Sequence, residues 1–307
     1  MSKLSVVVPV YFNEDTLEDM YDDLMVNAIN PLVEKYQIEY EIVMVNDGSQ
    51  DASFDIIKKL KATDSNVVGI SLSRNFGSHS SISCGIEQST GDCIAVKSAD
   101  LQESSQLVVD MFEKWQEGNK VVLATREARD DAAGFSNLFY WITRRFILKN
   151  MPESGFDAFL LDRVVAKNIE TFDITNSTLT GKILWSGFKT ATVGYHRLDR
   201  TVGESKWTLK KKLKQVSDMI YSFSNLPIFF VQIIGVLSVL IGAVWAVVLV
   251  VSKIMGSIQE VGWTSLFIFN LLSFGTIMIT LSVLGGYLWR SFEASRNRPA
   301  YMIEEVV

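Results

Sequence analysis

Two long stretches without a charged residue, Ile228 to Val251 and Ser265 to Trp289, constrain this chain more than anything else in it. At 24 and 25 residues, each is long enough to cross a bilayer as a helix, for which about 20 apolar residues suffice. Core helices of soluble proteins rarely run so far without charge, so the pair reads as a transmembrane hairpin. Its flanks are basic. Lys206, Lys210, Lys211, Lys212 and Lys214 precede the first span and Arg290, Arg296 and Arg298 follow the second, whereas the intervening loop, Ser252 to Thr264, holds only Lys253 and Glu260. The positive-inside bias then predicts both ends of the hairpin in the cytoplasm. Because the apolar runs come late in the chain, no cleaved signal peptide is expected.

The remainder has the composition of a water-soluble domain, and 307 residues allow one large domain or two modest ones. A net charge of −6, with the basic residues gathered beside the membrane, argues against a nucleic-acid partner. The cysteines, Cys84 and Cys93, fall in the part assigned to the cytoplasm, so no disulfide is expected. Without a histidine cluster near them a zinc site is not expected either.

Along the chain, β-branched runs alternate with helical spacing. Leu4 to Val10 reads as a strand buried on both faces, stopped by Pro9 and the polar stretch Tyr11 to Glu14. Thr16 to Met25 has Leu17, Met20, Tyr21 and Leu24 on one helical face. A strand over Glu41 to Val45 closes on Asn46, Asp47, Gly48 and Ser49, with Asp51 placed to cap the following helix. Val67 to Leu72 is a third strand, and a weaker helical segment runs from about Ser80 to Gln88. In the stretch Cys93 to Gln102, CIAVKSADLQ, the apolar run Ile94, Ala95 and Val96 reads as a buried strand that delivers Ser98 to Gln102 at its carboxyl end. Val121 to Thr125 is another strand, ending in Arg126, Glu127, Ala128 and Arg129. Alternation of this kind predicts a doubly wound, mostly parallel α/β sheet, with the loops around Glu14, Asp47 and Asp100 on one edge.

That edge is where open α/β sheets bind ligands, so Asp100 is well placed to hold a cation carrying phosphates; a helix cap is the lesser alternative for it as a bare residue. Asp47 within Asn-Asp-Gly can be a plain turn residue, and Glu14 a first-turn acid favoured by the helix dipole. There is no G-x-G-x-x-G and no P-loop, so the phosphates of a nucleotide must be held by a metal and basic side chains. Glu103 reads as a solvated acid at a helix start, with a compensating role at an ion beside Asp100 as the lesser alternative.

PVYFNED, VNDGSQD, LSRNFG, the SADLQ strand end and RTVGESKW, in this order and spacing, resemble family-2 glycosyltransferases of the GT-A fold. The chain is most similar to the polyprenyl-phosphate glycosyltransferases, and the resemblance extends through the hairpin to the RNRPAY tail. It implies that Pro9, Tyr11 and Glu14 contact base and ribose, that Asp47 hydrogen-bonds the base, and that Ser98, Ala99 and Asp100 line the nucleotide. A Mg2+ or Mn2+ ion is implied at Asp100 and Gln102, with Ser98 standing where the family usually has a first aspartate. Arg126, Arg129, Arg200, Ser205 and Lys206 are implied to bind acceptor or diphosphate, and Asp157 to be the catalytic base. Phe159 replaces an arginine common in relatives.

The implied activity is inverting transfer of one sugar, glucose or N-acetylglucosamine, from a UDP-sugar to polyprenyl (undecaprenyl) phosphate at the cytoplasmic face of the plasma membrane. GDP-mannose as donor and a non-catalytic binding protein are the alternatives; a processive polysaccharide synthase fits poorly, lacking Gln-x-x-Arg-Trp and having only two spans. A homo-oligomer and a small membrane partner are further expectations. The implied division is a catalytic domain over 1–206, an interfacial helix over 207–226, the hairpin over 227–290 and a cytoplasmic tail over 291–307. The aromatic segment Phe135 to Leu148 reads as an amphipathic helix at the membrane surface or a core helix.

Overall fold

The computed structural model describes residues 1–126, 144–145, 150–153, 155–171, 179–198, 220–221, 224, 226–255, 262–296 and 298–307. The expected segment Phe135 to Leu148 lies largely outside them, as does nearly all of the expected interfacial helix.

The first half is doubly wound. β1 (Lys3–Val10) leads into α1 (Leu17–Leu24), which continues through a π-helical turn (Met25–Ile29) into α2 (Asn30–Tyr36). Then come β2 (Glu39–Asn46), α3 (Ser53–Thr63), β3 (Val67–Leu72), α4 (Ser78–Gln88), β4 (Cys93–Val96), α5 (Gln106–Gln116) and β5 (Val121–Arg126). The second half adds β6 (Ala158–Asp162), α6 (Arg163–Glu170), α7 (Leu179–Trp185), β7 (Thr190–Tyr195), two long helices, α8 (Leu226–Ile254) and α9 (Trp263–Ser295), and a last strand, β8 (Ile303–Val306).

All eight strands form one sheet in the order β7-β5-β6-β4-β1-β2-β3-β8. β1, β2, β3 and β4 pair in parallel, and β5 pairs in parallel with β7. β6 runs antiparallel between β4 and β5, and β8 runs antiparallel on the β3 flank, so the sheet is more mixed than the alternation of elements foretells. The period-2 rule explains the layers. Leu4, Val6, Val8 and Val10 of β1 face a core shared with α1, α2, α3 and α5, while Val7 faces the opposite core with Cys84 of α4 and Val165 and Ile169 of α6. At Gly85 a Cβ would come within 2.3 Å of the Val7 side chain, which is how closely α4 lies on β1.

The central strands decide where chemistry can sit. β1, β2, β3, β4, β5 and β7 all end on one edge, and β6, being antiparallel, begins there. Pairing of β1 with β4 stops at Val7 and Val96, so Pro9 falls beyond that ladder, where its missing N–H costs no bond to β4.

α8 and α9 contain segments, Pro227–Trp245 and Leu272–Ser295, long and apolar enough to cross a membrane, with none of either buried in the protein. They overlap in part the charge-free stretches Ile228 to Val251 and Ser265 to Trp289. After α9 the chain returns to the sheet: Val307 exchanges both backbone hydrogen bonds with Gly69, at 3.0 and 2.8 Å, and Lys58 pairs with Glu305 at 2.8 Å. A strand in this tail was not foreseen.

Candidate active site

The carboxyl edge is built from loops that bond to one another. Phe12 takes the left-handed conformation (φ 55°), its N–H donates to Ser49 Oγ at 3.1 Å, and the Asn13 N–H donates to Ser53 Oγ at 3.0 Å. Glu14 Oε2 accepts the Ala52 N–H at 2.9 Å, at the start of α3, while Asp51 accepts from the N–H groups of Glu14 and Ser53. Asp51 thus serves the start of α3 as expected, although the residue next to the helix is Ala52. Asp47 is buried, and its two carboxylate oxygens accept the Phe76 and Gly77 N–H groups at 2.7 and 2.9 Å. Gly48 permits this approach: its φ is +66°, and a Cβ there would lie 2.4 Å from the Arg74 carbonyl carbon. In this arrangement Asp47 organises the LSRNFG loop.

After β4 the chain folds into a tight turn. Leu101 is left-handed (φ 57°), Ser98 Oγ donates to Asp100 Oδ1 at 2.7 Å, and the Gln102 N–H donates to the same oxygen at 3.3 Å. Thr16 Oγ1 donates to the Ala99 carbonyl at 2.8 Å, tying this turn to the first loop. Beneath it lies Lys97, 2% exposed, donating to the Glu103 carbonyl at 2.7 Å with Asp23 at 3.9 Å. Glu103 itself is buried, which corrects the reading of it as a solvated helix-start acid. Its Oε2 accepts the Ser98 N–H at 3.3 Å. Burial pushes its carboxyl pKa up, Lys97 opposes that, and the nearby charges of Asp157 and Asp100 add to it.

Across from this turn, Asp157 Oδ2 accepts from Arg126 Nε at 2.5 Å and from the Tyr195 hydroxyl at 2.8 Å. Burial first, and then the Asp157 charge, push the Tyr195 hydroxyl well above the ordinary tyrosine range, so it stays a donor. Phe159 is buried and meets Phe156 edge to face at 6.1 Å between ring centres. Position 159, where the resemblance led to the expectation of an arginine, is therefore a core position here.

Gln102 is also buried, and it is pinned to the strand end after β7. The Leu198 N–H donates to the Gln102 carbonyl at 3.0 Å, the Gln102 side-chain amide reaches the Leu198 carbonyl at 3.5 Å, and the Arg197 guanidinium donates to Gln102 Oε1.

The edge thus gathers Pro9, Tyr11, Glu14, Asp47, Ser98, Ala99, Asp100, Gln102, Arg126 and Asp157, while Arg129, Arg200, Ser205 and Lys206 lie outside the described residues. Lys97, Tyr195 and Arg197 lie at the same edge and were not among the expected residues, whereas Glu103 was expected there chiefly as a solvated acid. Tyr195 and Arg197 could have been found by extending the strand-end rule to Thr190–Tyr195. As for an ion, Asp100 and Gln102 offer oxygen donors of the kind magnesium and manganese prefer. Among the described residues no group of three or more His, Cys, Asp or Glu side chains gathers to hold a metal. The donor set therefore fits an ion that takes most of its ligands from substrate phosphates and water.

A cleft of about 330 Å3 lies at the opposite edge, among Glu87, Ser89, Thr90, Asp92, Arg163 and Lys167. Arg163 there is spent on the Gly91 carbonyl at 2.7 Å and Ser89 Oγ at 3.0 Å, and the site described above lies across the sheet from it.

Comparison with known proteins assigns the fold its chemistry. Residues 5–180 match the family described as glycosyl transferase family 2. The chain is 32% identical to the uncharacterized glycosyltransferase YkcC of Bacillus subtilis, over 98% of this chain and 93% of that protein. It is 31% identical to the prophage bactoprenol glucosyl transferase homolog of Escherichia coli, over 99% of each. To the bactoprenol glucosyl transferase of Shigella phage SfX it is 30% identical, over 98% of this chain and 99% of that one. Among solved structures, residues 1–349 of S. aureus TarS in complex with UDP-GlcNAc superpose with a TM-score of 0.50 at 15% identity, over 72% of this chain and 67% of that one, a likeness of fold. With a mixed α/β sheet of the GT-A type and a family match over more than half its length, the chain belongs to glycosyl transferase family 2 and is a glycosyltransferase.

Proposed function

We propose that this glycosyltransferase moves a single sugar from a UDP-sugar onto the phosphate of a polyprenyl phosphate at the cytoplasmic face of the plasma membrane, with inversion at the anomeric carbon. The observation that carries the reading is full-length similarity to bactoprenol glucosyl transferases on a chain whose two bilayer-length helices follow a carboxyl-edge site. The return of β8 to the sheet after α9 supports two crossings, since both ends of the hairpin then serve one domain. The proposed division is a catalytic domain over 1–206, an interfacial helix over 207–226, the hairpin over 227–290, and a tail over 291–307 that ends in β8.

The donor's nucleotide lies over the loops after β1, β2 and β4. Asp100 and Gln102 would hold a divalent ion, which when bound would supply charge neutralisation for the departing diphosphate. Ser98 orients Asp100 through its hydroxyl. The acceptor phosphate is already largely anionic near neutral pH, its second pKa being about 6, so strong base catalysis is not required of Asp157. Asp157 instead holds the Arg126 guanidinium in place, with Tyr195 as second donor, and Arg126 offers the phosphate a planar charged fork. Arg200, Ser205 and Lys206 share the diphosphate. The anchor confines the domain to the surface where its lipid substrate resides, raising encounter without new chemistry.

The test uses membranes expressing the full chain, Mg2+ or Mn2+, undecaprenyl phosphate and separately labelled UDP-glucose, UDP-N-acetylglucosamine and GDP-mannose. Label from one UDP-sugar should enter the organic phase and be lost in Asp100→Ala. Transfer from GDP-mannose alone overturns the donor assignment, and absence of lipid-linked label from any donor, with folded nucleotide-binding protein, overturns the reading of the chain as a self-sufficient enzyme.

A further inference from the structure

The side-chain oxygen that the reading above assigns to a divalent ion is already in use. Gln102 Oε1 accepts from the guanidinium of Arg197, a fixed positive charge. The surroundings make this contact exchangeable at one end only. Gln102 is 8% exposed, and its main chain is bonded to Leu198 at 3.0 Å, so the amide stays where it is. Arg197 is exposed, so its guanidinium can leave toward solvent or toward a ligand while its neighbours remain fixed. A divalent ion and a guanidinium on the same amide oxygen repel each other, since two cations are then held within a few ångströms, so each disfavours the other there. A diphosphate resolves the conflict, since it offers the guanidinium two oxygens in the fork geometry that an amide cannot match.

We propose that Arg197 is a displaceable cation seated on Gln102, and that it makes divalent ion and nucleoside diphosphate bind to this chain as a unit. This rests on Asp100 and Gln102 being the ion's protein ligands. Without nucleotide, Arg197 occupies Gln102 and the ion binds weakly. When the diphosphate arrives, the guanidinium moves onto it, Gln102 Oε1 is released to the ion, and each ligand tightens the other by the same factor, as linkage demands. Release of the nucleoside diphosphate after transfer returns Arg197 to Gln102 and expels the ion. Arg197 acts through Gln102 and the diphosphate; it is a positioning residue and a coupling element.

The experiment is Mn2+ binding to the full chain in detergent, read from the electron paramagnetic resonance signal of free aquo-Mn2+, with and without UDP, for the wild type, Arg197→Gln, Arg197→Lys and Asp100→Ala. UDP should tighten Mn2+ binding to the wild type at least tenfold beyond its own complexation of the ion. In Arg197→Gln, which removes the charge, Mn2+ alone should bind several-fold more tightly and the UDP effect should shrink at least threefold. Arg197→Lys, which keeps the charge, should retain weak Mn2+ binding without nucleotide. A merely structural arginine would weaken both ligands together and melt earlier, and a thermal melt of each variant separates that case. The proposal is overturned if Arg197→Gln binds Mn2+ alone no more tightly than the wild type, or keeps the full UDP effect. If Asp100→Ala binds Mn2+ as the wild type does, the ligand assignment itself fails and the proposal with it.

Discussion

The two edges of the sheet handle charge in opposite ways. At the amino edge, Glu41 accepts from Ser5 Oγ at 2.6 Å, from the Thr90 N–H at 2.5 Å and Thr90 Oγ1 at 2.8 Å, and pairs with Lys3 at 2.9 Å. Burial pushes the Glu41 pKa up, but these hydrogen bonds outweigh it and hold the group at about 2. At the carboxyl edge the polar groups are arranged differently. Glu103 is buried with its pKa raised, Arg126 rests on Asp157, Arg197 rests on Gln102, and His79, on the first turn of α4, has both ring nitrogens buried without a hydrogen-bond partner among the described residues. The amino edge thus pairs its polar groups within the fold, whereas at the carboxyl edge several charged and polar side chains gather at the loops after the strands.

The sharpest way to break this contrast is to move function. Asp157→Asn and Arg126→Ala should each lower lipid-linked product formation about 100-fold, the scale set by loss of one preorganised charged contact, with thermal melting little changed. Loss of folding in step with activity would mean that the Arg126 and Asp157 pair belongs with the structural edge. Glu41→Gln should do the converse, costing about 2 kcal/mol in chemical denaturation while activity per folded molecule stays at the wild-type level. Its sign with pH follows from the lowered pKa. The Glu41 contribution is fully present above the ordinary value of 4.5 and is lost as pH falls from there toward about 2, so the acid limb of the stability profile should flatten in the variant.

His79 supplies a weaker test at the other edge. Burial lowers its pKa from 6.5, so the fold disfavours the imidazolium, and its penalty is absent above that pH and grows as pH falls below it. His79→Leu should remove that part of the acid sensitivity, measured as melting temperature between about pH 5 and pH 7, the range over which an ordinary histidine titrates. The smallest effect is expected on the flank. Glu305→Ala removes an ion pair whose two side chains are 40% and 46% exposed, and should cost no more than about 0.5 kcal/mol. A larger loss would show that β8 contributes through more than its backbone bonds.

Legibility in the sequence followed the range of the interaction responsible. β1 to β5 were readable because each is a run of branched apolar residues buried on both faces, and their bounds agree to within two residues of the expected ones. The order of the polar loops and the edge they share followed from strand alternation alone. β6 was legible as a motif and not as a strand, because its antiparallel insertion between β4 and β5 is set by partners far along the chain. β8 was missed since Ile303 to Val306 sets two adjacent glutamates between its apolar residues, is exposed throughout, and becomes a strand only by docking on β3. Glu103 was misread for a related reason: an acid after a strand end looks solvated until Lys97 and the Ser98 N–H are found around it.

By itself, then, the amino-acid sequence determined the parallel half of the sheet, the two bilayer-length helices and the edge that carries the site. Those follow from hydrophobic period, length and the absence of charge, which are local properties. Only the tertiary structure decided that Arg126, Asp157 and Tyr195 form one cluster, that Phe159 is core, that Arg197 sits on Gln102, and that the end of the chain closes the sheet. Each of these depends on bringing together side chains separated by tens to hundreds of residues, and such pairing is fixed by packing and hydrogen-bond geometry that no local pattern encodes.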